Sequence, residues 1–371
     1  MYLDNAATTL IKPSAVERSM LNALRTCASP GRGGHEAAKR AAEKVFACRE
    51  SAAALFNVGD SSKVVFTQNA THALNIAIFS LTNAGDRVVI SGFEHNSVTR
   101  PLNAVGAETV TAGTKLFDSE DTLRDFERKI PEAKLAVCTH VSNVFGYVLP
   151  ICKIAEICRA YSVPLIVDAS QSAGILKTDQ ERLNAAFIAM PGHKSLFGPQ
   201  GTGILLCGDS GRPLMHGGSG SDSLLPTMPE YLPERLEAGT ANVCGIAGLK
   251  AGIDYVRKTG TDRISNYETH LRCLFTEKLS GVKELVLFTS EADNQSGVVS
   301  FSPVRGDSET FAAELAKRGI CVRAGLHCAP LAHKSAGTVE KGTVRVSFSP
   351  FNTEKEVLTA ASEIKNIVHN H

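Results

Sequence analysis

Short apolar runs and amphipathic stretches alternate along the first part of the chain. Between residues 63 and 207, six apolar runs have the length and composition of buried strands: KVVFT, DRVVIS, KLAVCTHVS, PLIVDAS, AAFIAM and GILLC. Helical periodicity lies between several of them, at residues 71–81, 119–130 and 151–161. Strands that are apolar on both faces and alternate with helices are typical of a mainly parallel sheet. The pattern therefore predicts an α/β fold that binds ligands at the carboxyl ends of its strands.

A different pattern follows the segment GSGSDSLLPTMPEYLP, which is rich in Gly, Ser and Pro. Helices are predicted at residues 244–258, 261–279, 308–318 and from 353 onward, with the apolar runs SGVVSFSP, ICVRAG and GTVRVSFSP among them. A chain of 371 residues is also too long for one small core. We predict a large domain over residues 12–243 and a smaller α/β domain formed by residues 1–11 and 244–371.

The composition excludes several classes of function. Hydrophobic residues make up 43% of the chain and the formal net charge is +1, which gives no electrostatic basis for binding nucleic acid or a membrane surface. No apolar run approaches the roughly 20 residues of a membrane span, and MYLDNAATTL lacks the features of a signal peptide. We expect a cytoplasmic protein. Its ten cysteines include no C-x-x-C pair, so most of them, Cys321 included, are expected to be small core residues, and no metal site is predicted.

Polar residues follow three of the predicted strands. In NATHALN a strand passes into a helix at Thr71, and the unpaired N–H groups of a helix N-terminus suit a phosphate. The alternative is that Thr71 only caps the helix. His95 follows the run VVIS, and Asn143 follows LAVC. For each of these two residues, ordinary turn chemistry is the alternative interpretation.

An aspartate and a lysine at successive strand ends point to a specific cofactor. Asp168 directly follows LIV, and Lys194 lies 26 positions later, after the next apolar strand and among glycines. A buried carboxylate or amine is costly unless it has a partner. In a pyridoxal phosphate site the lysine binds the aldehyde as a Schiff base, while the aspartate keeps the pyridine nitrogen protonated. For Asp168 alone, a cap on the next helix is the alternative.

Taken in order, these motifs resemble those of the class V aminotransferase-like pyridoxal phosphate enzymes, and within them the cysteine desulfurases and selenocysteine lyases. The resemblance covers nearly the whole chain through YLDNAATT, NATHALN, EHNS, HVSNVFG, VDASQSAG, GHKSLFGPQGTGIL, EAGTANVCGIAGL, VRAGLHCAP and TVRVSFSPFNT. It implies the fold type I of the pyridoxal phosphate-dependent transferases, similar to aspartate aminotransferase, with pyridoxal 5'-phosphate as the cofactor. It also implies a homodimer with shared active sites.

The resemblance implies a role for each matching position. For the cofactor these are Ala70 and Thr71 at the phosphate, His95 on the ring face, Asp168 at the pyridine nitrogen, Gln171 at the phenolic oxygen, His193 beside the phosphate, Lys194 as the Schiff base, and Gly239 and Thr240 at the phosphate of the second subunit. Asn143 would lie near the substrate carboxylate. Two positions depart from the family pattern. Pro191 replaces a hydroxyl residue that bonds the phosphate, and Leu326 replaces a second histidine before the cysteine.

The stretch CVRAGLHCAPL contains residues that could distinguish among the reactions that pyridoxal phosphate enzymes catalyse. Arg323 and Arg345 are candidates for binding the substrate carboxylate, because a guanidinium matches a carboxylate with two hydrogen bonds. An arginine in a strand is also a common surface residue, but the family position favours Arg345. Cys328 follows His327 in a loop bounded by Gly and Pro, which we expect to be mobile and exposed, as a sulfur-abstracting thiolate requires. The alternative is a structural cysteine.

The resulting hypothesis is a cysteine desulfurase with Lys194, Cys328 and His95 as its catalytic residues. Lys194 would take the Cα proton of L-cysteine, and Cys328 would attack the substrate sulfur, which leaves a persulfide on the enzyme and releases L-alanine. An acceptor protein or thiol would then collect the sulfur for iron–sulfur clusters or thiolated cofactors. The 17 positions from Cys328 to Arg345 resemble the short-loop group, which depends on a partner for fast turnover. Rival interpretations are a selenocysteine lyase or cysteine-sulfinate desulfinase, a carbon–sulfur β-lyase or aminotransferase, and an inactive scaffold of a sulfur-transfer complex.

Overall fold

Seven strands form a large sheet within the part of the chain that the structure describes. The computed structural model describes residues 1–31 and 33–369, so residues 32, 370 and 371 of the predicted domains lie outside it. The strands are β1 (Val64–Thr67), β2 (Arg87–Ser91), β3 (Glu108–Ala112), β4 (Leu135–Thr139), β5 (Leu165–Asp168), β6 (Phe187–Pro191) and β7 (Gly203–Cys207). Their order is β1-β7-β6-β5-β4-β2-β3, and among these described strands β7 runs opposite to the other six. The predicted mainly parallel sheet is confirmed.

Helices pack on both faces of this sheet. They are α1 (Ser14–Thr26), α2 (Glu36–Phe56), α3 (Ala70–Leu81), α4 (Asn96–Val105), α5 (Ser119–Lys129), α6 (Ile151–Ala160), α7 (Gln180–Leu183) and α8 (Val243–Thr259). Alternate side chains of a strand point to opposite faces, so Ala136 and Cys138 of β4 enter one core while Leu135 and Val137 enter another. The first core includes α2, α6 and α8, and the second includes α3 and α4. The three helices predicted within this region are confirmed.

The hydrophobic pattern does not predict α1, α2, α4 or β3. Strand β3 lies at the edge of the sheet and only its last residue is buried, so its apolar signal is weak. Many of the buried positions of α2 are alanines, which contrast little with polar neighbours. Helix α4 contains Pro101 in its interior and buries few side chains. Tertiary packing decides the structure of these segments, because their own propensities are ambiguous.

A four-stranded antiparallel sheet forms the second unit of the described chain. Its strands are β8 (Leu285–Phe288), β9 (Val298–Pro303), β10 (Arg323–Gly325) and β11 (Thr343–Ser347), in the order β10-β11-β9-β8. The helices of this region are α9 (Thr261–Leu279), α10 (Ser308–Lys317), α11 (Pro330–Ser335) and α12 (Glu354–His369). Side chains of α9, α10 and α12 share a core with this sheet and with Leu3. Backbone bridges from Tyr2 and Asp4 join the N-terminus to it.

The predicted domain boundaries stay a prediction. Helix α8, which begins at the predicted boundary, contributes Ile246, Leu249 and Ile253 to a core of the large sheet. Helix α9 instead packs with the small sheet. Among the described residues, no helix is long and apolar enough to cross a lipid bilayer.

The ten cysteines differ in exposure more than we predicted. All are free, four are buried (Cys48, Cys138, Cys158 and Cys207), and Cys273, Cys321 and Cys328 are exposed. The prediction that Cys321 lies in the core is wrong. Ile320 occupies the core position and is fully buried, and the alternation of an extended segment turns the next side chain outward.

Candidate active site

A cavity of about 210 Å³ opens at the carboxyl ends of the parallel strands. Ten of the predicted site residues line it: Ala70, Thr71, His95, Asn143, Asp168, Gln171, His193, Lys194, Arg323 and Arg345. The first eight follow strands of the large sheet, and the two arginines belong to the small sheet. The described wall of the cavity does not include Cys328, Gly239 or Thr240. The cavity therefore lies where the two sheets meet.

Lys194 follows β6 and presents an amine of reduced basicity. Burial lowers the pKa of this amine to about 8, although the Asp168 carboxylate acts in the opposite direction. Its backbone is fixed, since Lys194 O accepts hydrogen bonds from Phe197 N at 2.9 Å and from Thr9 Oγ1 at 3.2 Å. A fraction of the amine is therefore unprotonated near neutral pH, on a segment with little freedom to move.

The glycines around Lys194 are required by close packing. A Cβ at Gly192 would lie 2.2 Å from Thr202 Oγ1, and one at Gly198 would lie 2.9 Å from Gly192 O. Real side chains do not approach other atoms this closely, so only glycine fits at these two positions. The loop after β6 is thus packed tightly against its surroundings.

Asp168 ends β5 as a buried carboxylate that caps no helix. It is 3% exposed, and its Oδ1 accepts a hydrogen bond from Ser170 N at 2.9 Å. The next helix along the chain, α7, begins only at Gln180. The alternative of a helix cap is therefore wrong, and the carboxylate remains available to the cavity that it lines.

A second buried carboxyl group, Glu94, lies behind Asp168 and is not predicted from the sequence. Its Oε1 accepts hydrogen bonds from Thr139 N at 2.7 Å and from the Ser91 hydroxyl. Thr139 pairs directly with Asp168 between β4 and β5. Burial raises the pKa of Glu94 to about 8, so the group is mostly protonated at pH 7 and adds little negative charge at this strand end.

His95 caps α4 and is linked to the start of α3 by a row of hydroxyl groups. Ser97 N donates to His95 Nδ1 at 3.0 Å, and Ser97 Oγ lies 2.9 Å from the same nitrogen. Thr71 Oγ1 lies 2.7 Å from Ser97 Oγ. Asn69 caps α3 by accepting from His72 N, so Thr71 is not the cap of this helix. The alternative reading of Thr71 is therefore wrong.

The N-terminal segment forms part of the site, although no individual residue of it is predicted to have a role. Ala6 O accepts from Gln171 Nε2 at 3.0 Å, and His193 O accepts from the hydroxyls of Thr8 and Thr9 at 3.2 and 3.1 Å. Lys12 Nζ lies 3.3 Å from the same carbonyl oxygen. The motif YLDNAATT was the available signal, because it carries several polar residues with no hydrophobic periodicity.

The two arginines stand side by side on the small sheet. Arg323 and Arg345 are direct partners in the β10–β11 register, so their side chains lie on the same face. Arg345 is 1% exposed, and it donates to Asn143 O and to Asp4 Oδ1, each at 2.8 Å. Arg345 is therefore no surface residue, and part of its guanidinium is already engaged before any substrate arrives.

Cys328 is exposed and contacts Arg323, a residue of the cavity wall. Arg323 NH2 lies 3.6 Å from its Sγ, which places a cation beside the thiol. The ring of His327 is buried away from it, with Nε2 3.1 Å from Thr343 O and the ring stacked on His333 at 5.6 Å. The side chain of Arg323, rather than the ring of His327, therefore contacts the thiol.

The turn that carries Cys328 is fixed by hydrogen bonds, contrary to the expected mobile loop. Asn96 N donates to Cys328 O at 2.8 Å, and Asn143 Nδ2 donates to His327 O at 2.9 Å. His327 and Cys328 have φ values of +49° and +56°, a left-handed conformation that costs about 1 kcal/mol or more in each residue. These contacts to segments that follow strands of the large sheet hold the strained turn in place.

Comparison with known proteins identifies the family over almost the whole chain. The family model described as Aminotransferase class-V matches residues 1–359. The chain belongs to this family.

Its relatives include several cysteine desulfurases. The chain is 33% identical over 386 residues to a probable cysteine desulfurase from Pyrococcus abyssi, with 99% of this chain and 94% of the relative covered. It is 32% identical over 383 residues to one from Methanothermobacter thermautotrophicus, with the same coverage of 99% and 94%. The apo structure of a cysteine desulfurase from Thermococcus onnurineus superposes with a TM-score of 0.92 at 32% identity, covering 100% of this chain and 95% of that one. The predicted family and fold are confirmed.

Two departures from the family pattern lie at the site. Pro191 lines the cavity and has neither a hydroxyl nor an N–H, whereas Thr71 of α3 and Ser97 of α4 line it with hydroxyl groups. Leu326 directly precedes the buried His327 and is itself 38% exposed. An aliphatic side chain at this position cannot transfer protons.

A second and larger cavity adjoins the first. It has a volume of about 1090 Å³, and Asn69 and His193 belong to the walls of both cavities. Gly239 and Thr240 line this second cavity. The neighbouring Glu237 anchors their segment, because its carboxylate accepts from Arg49 NH1 at 2.8 Å and that ion pair is largely buried.

Proposed function

We propose that this chain is a pyridoxal 5'-phosphate-dependent cysteine desulfurase that moves the sulfur of L-cysteine onto Cys328. One observation carries the proposal: an exposed thiol contacts a wall residue of a cavity that is also lined by an amine and a buried carboxylate. Arg323 connects them, since it lines the cavity and its NH2 lies 3.6 Å from the thiol. Transamination and β-elimination require no protein thiol at this place.

The residues of the cavity fit the cofactor that the family uses. Lys194 would bind its aldehyde, Asp168 its ring nitrogen, and the N-terminus of α3 together with His193 its phosphate. The buried Nδ1 of His193 has no partner within the described residues, and such an atom is costly to leave unpaired. A phosphate would supply that partner. When bound, the cofactor would provide an electron-withdrawing ring that stabilises negative charge on the substrate Cα.

The carboxylate of L-cysteine would bind at the arginine pair. The Nε of Arg345 has no partner among the described residues, so one edge of its guanidinium stays available for a carboxylate. Arg323 would contribute from the adjacent strand, and Asn143 holds Arg345 in place through its carbonyl oxygen. This arrangement would leave the substrate side chain facing the thiol.

Two groups of the chain would then perform the chemistry. Lys194, whose pKa is lowered to about 8 by burial, would accept the Cα proton. The Cys328 thiolate would attack the substrate sulfur, so that an S–S bond forms as the C–S bond breaks and its electron pair stays with the substrate carbon. A proton would add to that carbon. The net reaction converts L-cysteine and the thiol into L-alanine and a persulfide, with atoms and electrons balanced.

The test compares two exposed cysteines. The purified protein is incubated with L-cysteine and reductant, and L-alanine and sulfide are measured for the native chain, for Cys328→Ala and for Cys321→Ala. Cys321 is a matched control because it is also exposed and lies seven positions away. We expect loss of both products in Cys328→Ala with the yellow cofactor retained, and little change in Cys321→Ala.

Other outcomes would contradict the proposal. Full release of L-alanine from L-cysteine by Cys328→Ala would refute the role of the thiol. Pyruvate and ammonia in place of L-alanine would identify a β-lyase. Activity of the variant on selenocysteine alone would favour a selenocysteine lyase.

We also propose that a second copy of the chain covers the larger cavity and forms a homodimer with shared active sites. Gly239 and Thr240 line that cavity, next to residues of the cofactor site. Phe46 and Met215, which are 61% and 43% exposed, line it too and would be buried by the second copy. Light scattering should give twice the chain mass for the native protein and a smaller mass after Phe46→Glu. A native monomer would contradict this.

An acceptor thiol or protein would remove the sulfur from Cys328 for iron–sulfur clusters or thiolated cofactors. The exposure of the thiol would allow such an acceptor to reach it. Radioactive sulfur loaded from L-cysteine should remain on the native protein and leave when a small dithiol is added. Retention of the label after that addition would contradict an accessible persulfide. A cytoplasmic location stays a prediction from the sequence.

A further inference from the structure

Three side chains form a hydrogen-bonded row along one wall of the active-site cavity. Thr71 Oγ1 lies 2.7 Å from Ser97 Oγ, which in turn lies 2.9 Å from His95 Nδ1. All three residues line the cavity. Thr71 belongs to the first turn of α3, whereas His95 and Ser97 begin α4. The row therefore connects the N-terminus of α3, which suits an anion, with the imidazole of His95 at the start of α4.

The backbone determines which nitrogen of His95 carries the hydrogen. Ser97 N donates to Nδ1 at 3.0 Å, and a backbone N–H can only donate, so Nδ1 acts as an acceptor and bears no hydrogen. Burial lowers the pKa of His95 to about 4, so the ring is neutral at pH 7. The Asp168 carboxylate opposes this shift. We assign the hydrogen to Nε2.

The groups that face the ring agree with a neutral imidazole. Lys194, Arg323 and Arg345 all lower the pKa of His95 through their positive charges. Three cations against one carboxylate leave no reason for the ring to gain a proton near pH 7. His95 therefore presents Nε2–H as a hydrogen-bond donor, while its Nδ1 faces the hydroxyl row.

The hydroxyl of Ser97 is not needed to cap α4. The cap is complete without it, because His95 Nδ1 already accepts from the Ser97 N–H. Yet this hydroxyl bonds both to the imidazole and to Thr71. A hydroxyl that has one donor hydrogen and two neighbouring acceptors must choose between them.

We propose that Ser97 is a positioning residue that couples anion binding at Thr71 to the hydrogen bonding of His95. Without an anion, Thr71 O–H donates to Ser97 Oγ, and Ser97 O–H donates to His95 Nδ1. An anion at the N-terminus of α3 attracts the Thr71 hydrogen, and Ser97 O–H then turns to donate to Thr71 Oγ1. His95 Nδ1 keeps only its backbone N–H partner. This inference rests on the proposed phosphate role of Thr71.

The first experiment uses nitrogen NMR of the full-length, cofactor-free chain with labelled histidine. The His95 signals are identified by their loss in His95→Gln. We expect hydrogen on Nε2 and a change of the Nδ1 signal when inorganic phosphate is added. In Ser97→Ala the tautomer should be kept, but the response of Nδ1 to phosphate should vanish. In Thr99→Ala, which removes a half-buried hydroxyl farther along α4, the response should remain.

The second experiment measures cofactor affinity by titrating the cofactor-free chain with pyridoxal 5'-phosphate. We expect Ser97→Ala to weaken binding about two- to tenfold, as the loss of one neutral hydrogen bond would. Ser97→Thr, which keeps a hydroxyl, should restore native affinity, and Thr99→Ala should leave it unchanged. Rescue by threonine would assign the loss of affinity to the hydroxyl group, and the NMR response to phosphate separates its coupling role from a purely structural one.

The outcomes separate this inference from the proposed function. Hydrogen on Nδ1, or phosphate binding with no response of Nδ1 in the native chain, would overturn the coupling while the cofactor site stands. An unchanged response in Ser97→Ala would overturn it as well. If neither phosphate nor pyridoxal 5'-phosphate binds to the native chain, the proposed cofactor site fails, and the coupling fails with it.

Discussion

Replacing Glu94 by glutamine should change how the stability of the protein depends on pH. Glu94 is fully buried, and burial raises its pKa from 4.5 to about 8. The folded protein therefore binds this proton more tightly than the unfolded chain does. The contribution to stability is fully present below pH 4.5, declines between pH 4.5 and 8, and is absent above pH 8. Glu94→Gln removes this titration.

The size of the effect follows from the two pKa values. Each pKa unit corresponds to about 1.4 kcal/mol, so the raised pKa corresponds to a loss of roughly 5 kcal/mol across the window. For a folded domain of roughly 150–250 residues, a change of 1 kcal/mol in stability shifts the melting temperature by about 2–4 °C. The melting temperature of the native chain should therefore fall relative to Glu94→Gln by on the order of 10 °C between pH 4.5 and 8.

Thermal denaturation of the cofactor-free native chain and of Glu94→Gln, measured from pH 4.5 to 9, tests this reasoning. Glutamine keeps an oxygen that can accept from Thr139 N and the Ser91 hydroxyl, so both proteins should fold. Glu36→Gln is the control, because that side chain is 76% exposed and its variant should track the native chain. A melting difference between the native chain and Glu94→Gln that stays constant across this range would refute a buried, protonated Glu94.

Three further predictions concern the surroundings of the site. Gly192→Ala should destabilise the fold by about 1–3 kcal/mol through overpacking, whereas Gly217→Ala, whose Cβ would come no closer than 3.8 Å to another atom, should be neutral in the same melting assay. Glu237→Gln should lower the melting temperature by several degrees, because it leaves the largely buried Arg49 without its carboxylate partner. Glu234→Gln is the control and should leave the melting temperature unchanged. Equal melting temperatures of the two variants would contradict a stabilising ion pair between Glu237 and Arg49. Borohydride reduction of the native protein followed by peptide mass mapping should place a pyridoxyl adduct on Lys194, and an adduct on any other lysine would be incompatible with the proposed site.

The sequence predicted the parts of the molecule that have strong local signals. Apolar runs located β1, β2 and β4 to β7, and the residues directly after them line the cavity. Parallel strands end at a common edge, so a residue such as Asp168 could be placed near Lys194 from chain order alone. The resemblance to a family then gave each of these residues a role that periodicity could not supply.

The residues that the sequence missed depend on contacts between distant segments. Asp4 and Arg345 are separated by 341 positions, and their ion pair of 2.8 Å exists only because the N-terminus pairs with the small sheet. Glu94 follows an ordinary strand, and nothing in its neighbours reveals complete burial. The exposure of Cys321 likewise depends on which face of an extended segment meets the core. Such features follow from tertiary packing and leave no periodic trace.

The position of the thiol depends on the contact between the two sheets more than on either one alone. The amine and the carboxylate belong to strand ends of the large sheet, whereas Arg323 and Cys328 belong to β10 and the turn after it. A shift of β10 by one residue against β11 would turn Arg323 to the face opposite Arg345 and remove the cation from the thiol. Asn143 contacts both β11 and the turn that carries Cys328. Its carbonyl oxygen accepts a hydrogen bond from Arg345, and its side-chain amide donates one to the backbone carbonyl of His327. Asn143 therefore joins the turn that carries Cys328 to the end of a strand of the large sheet.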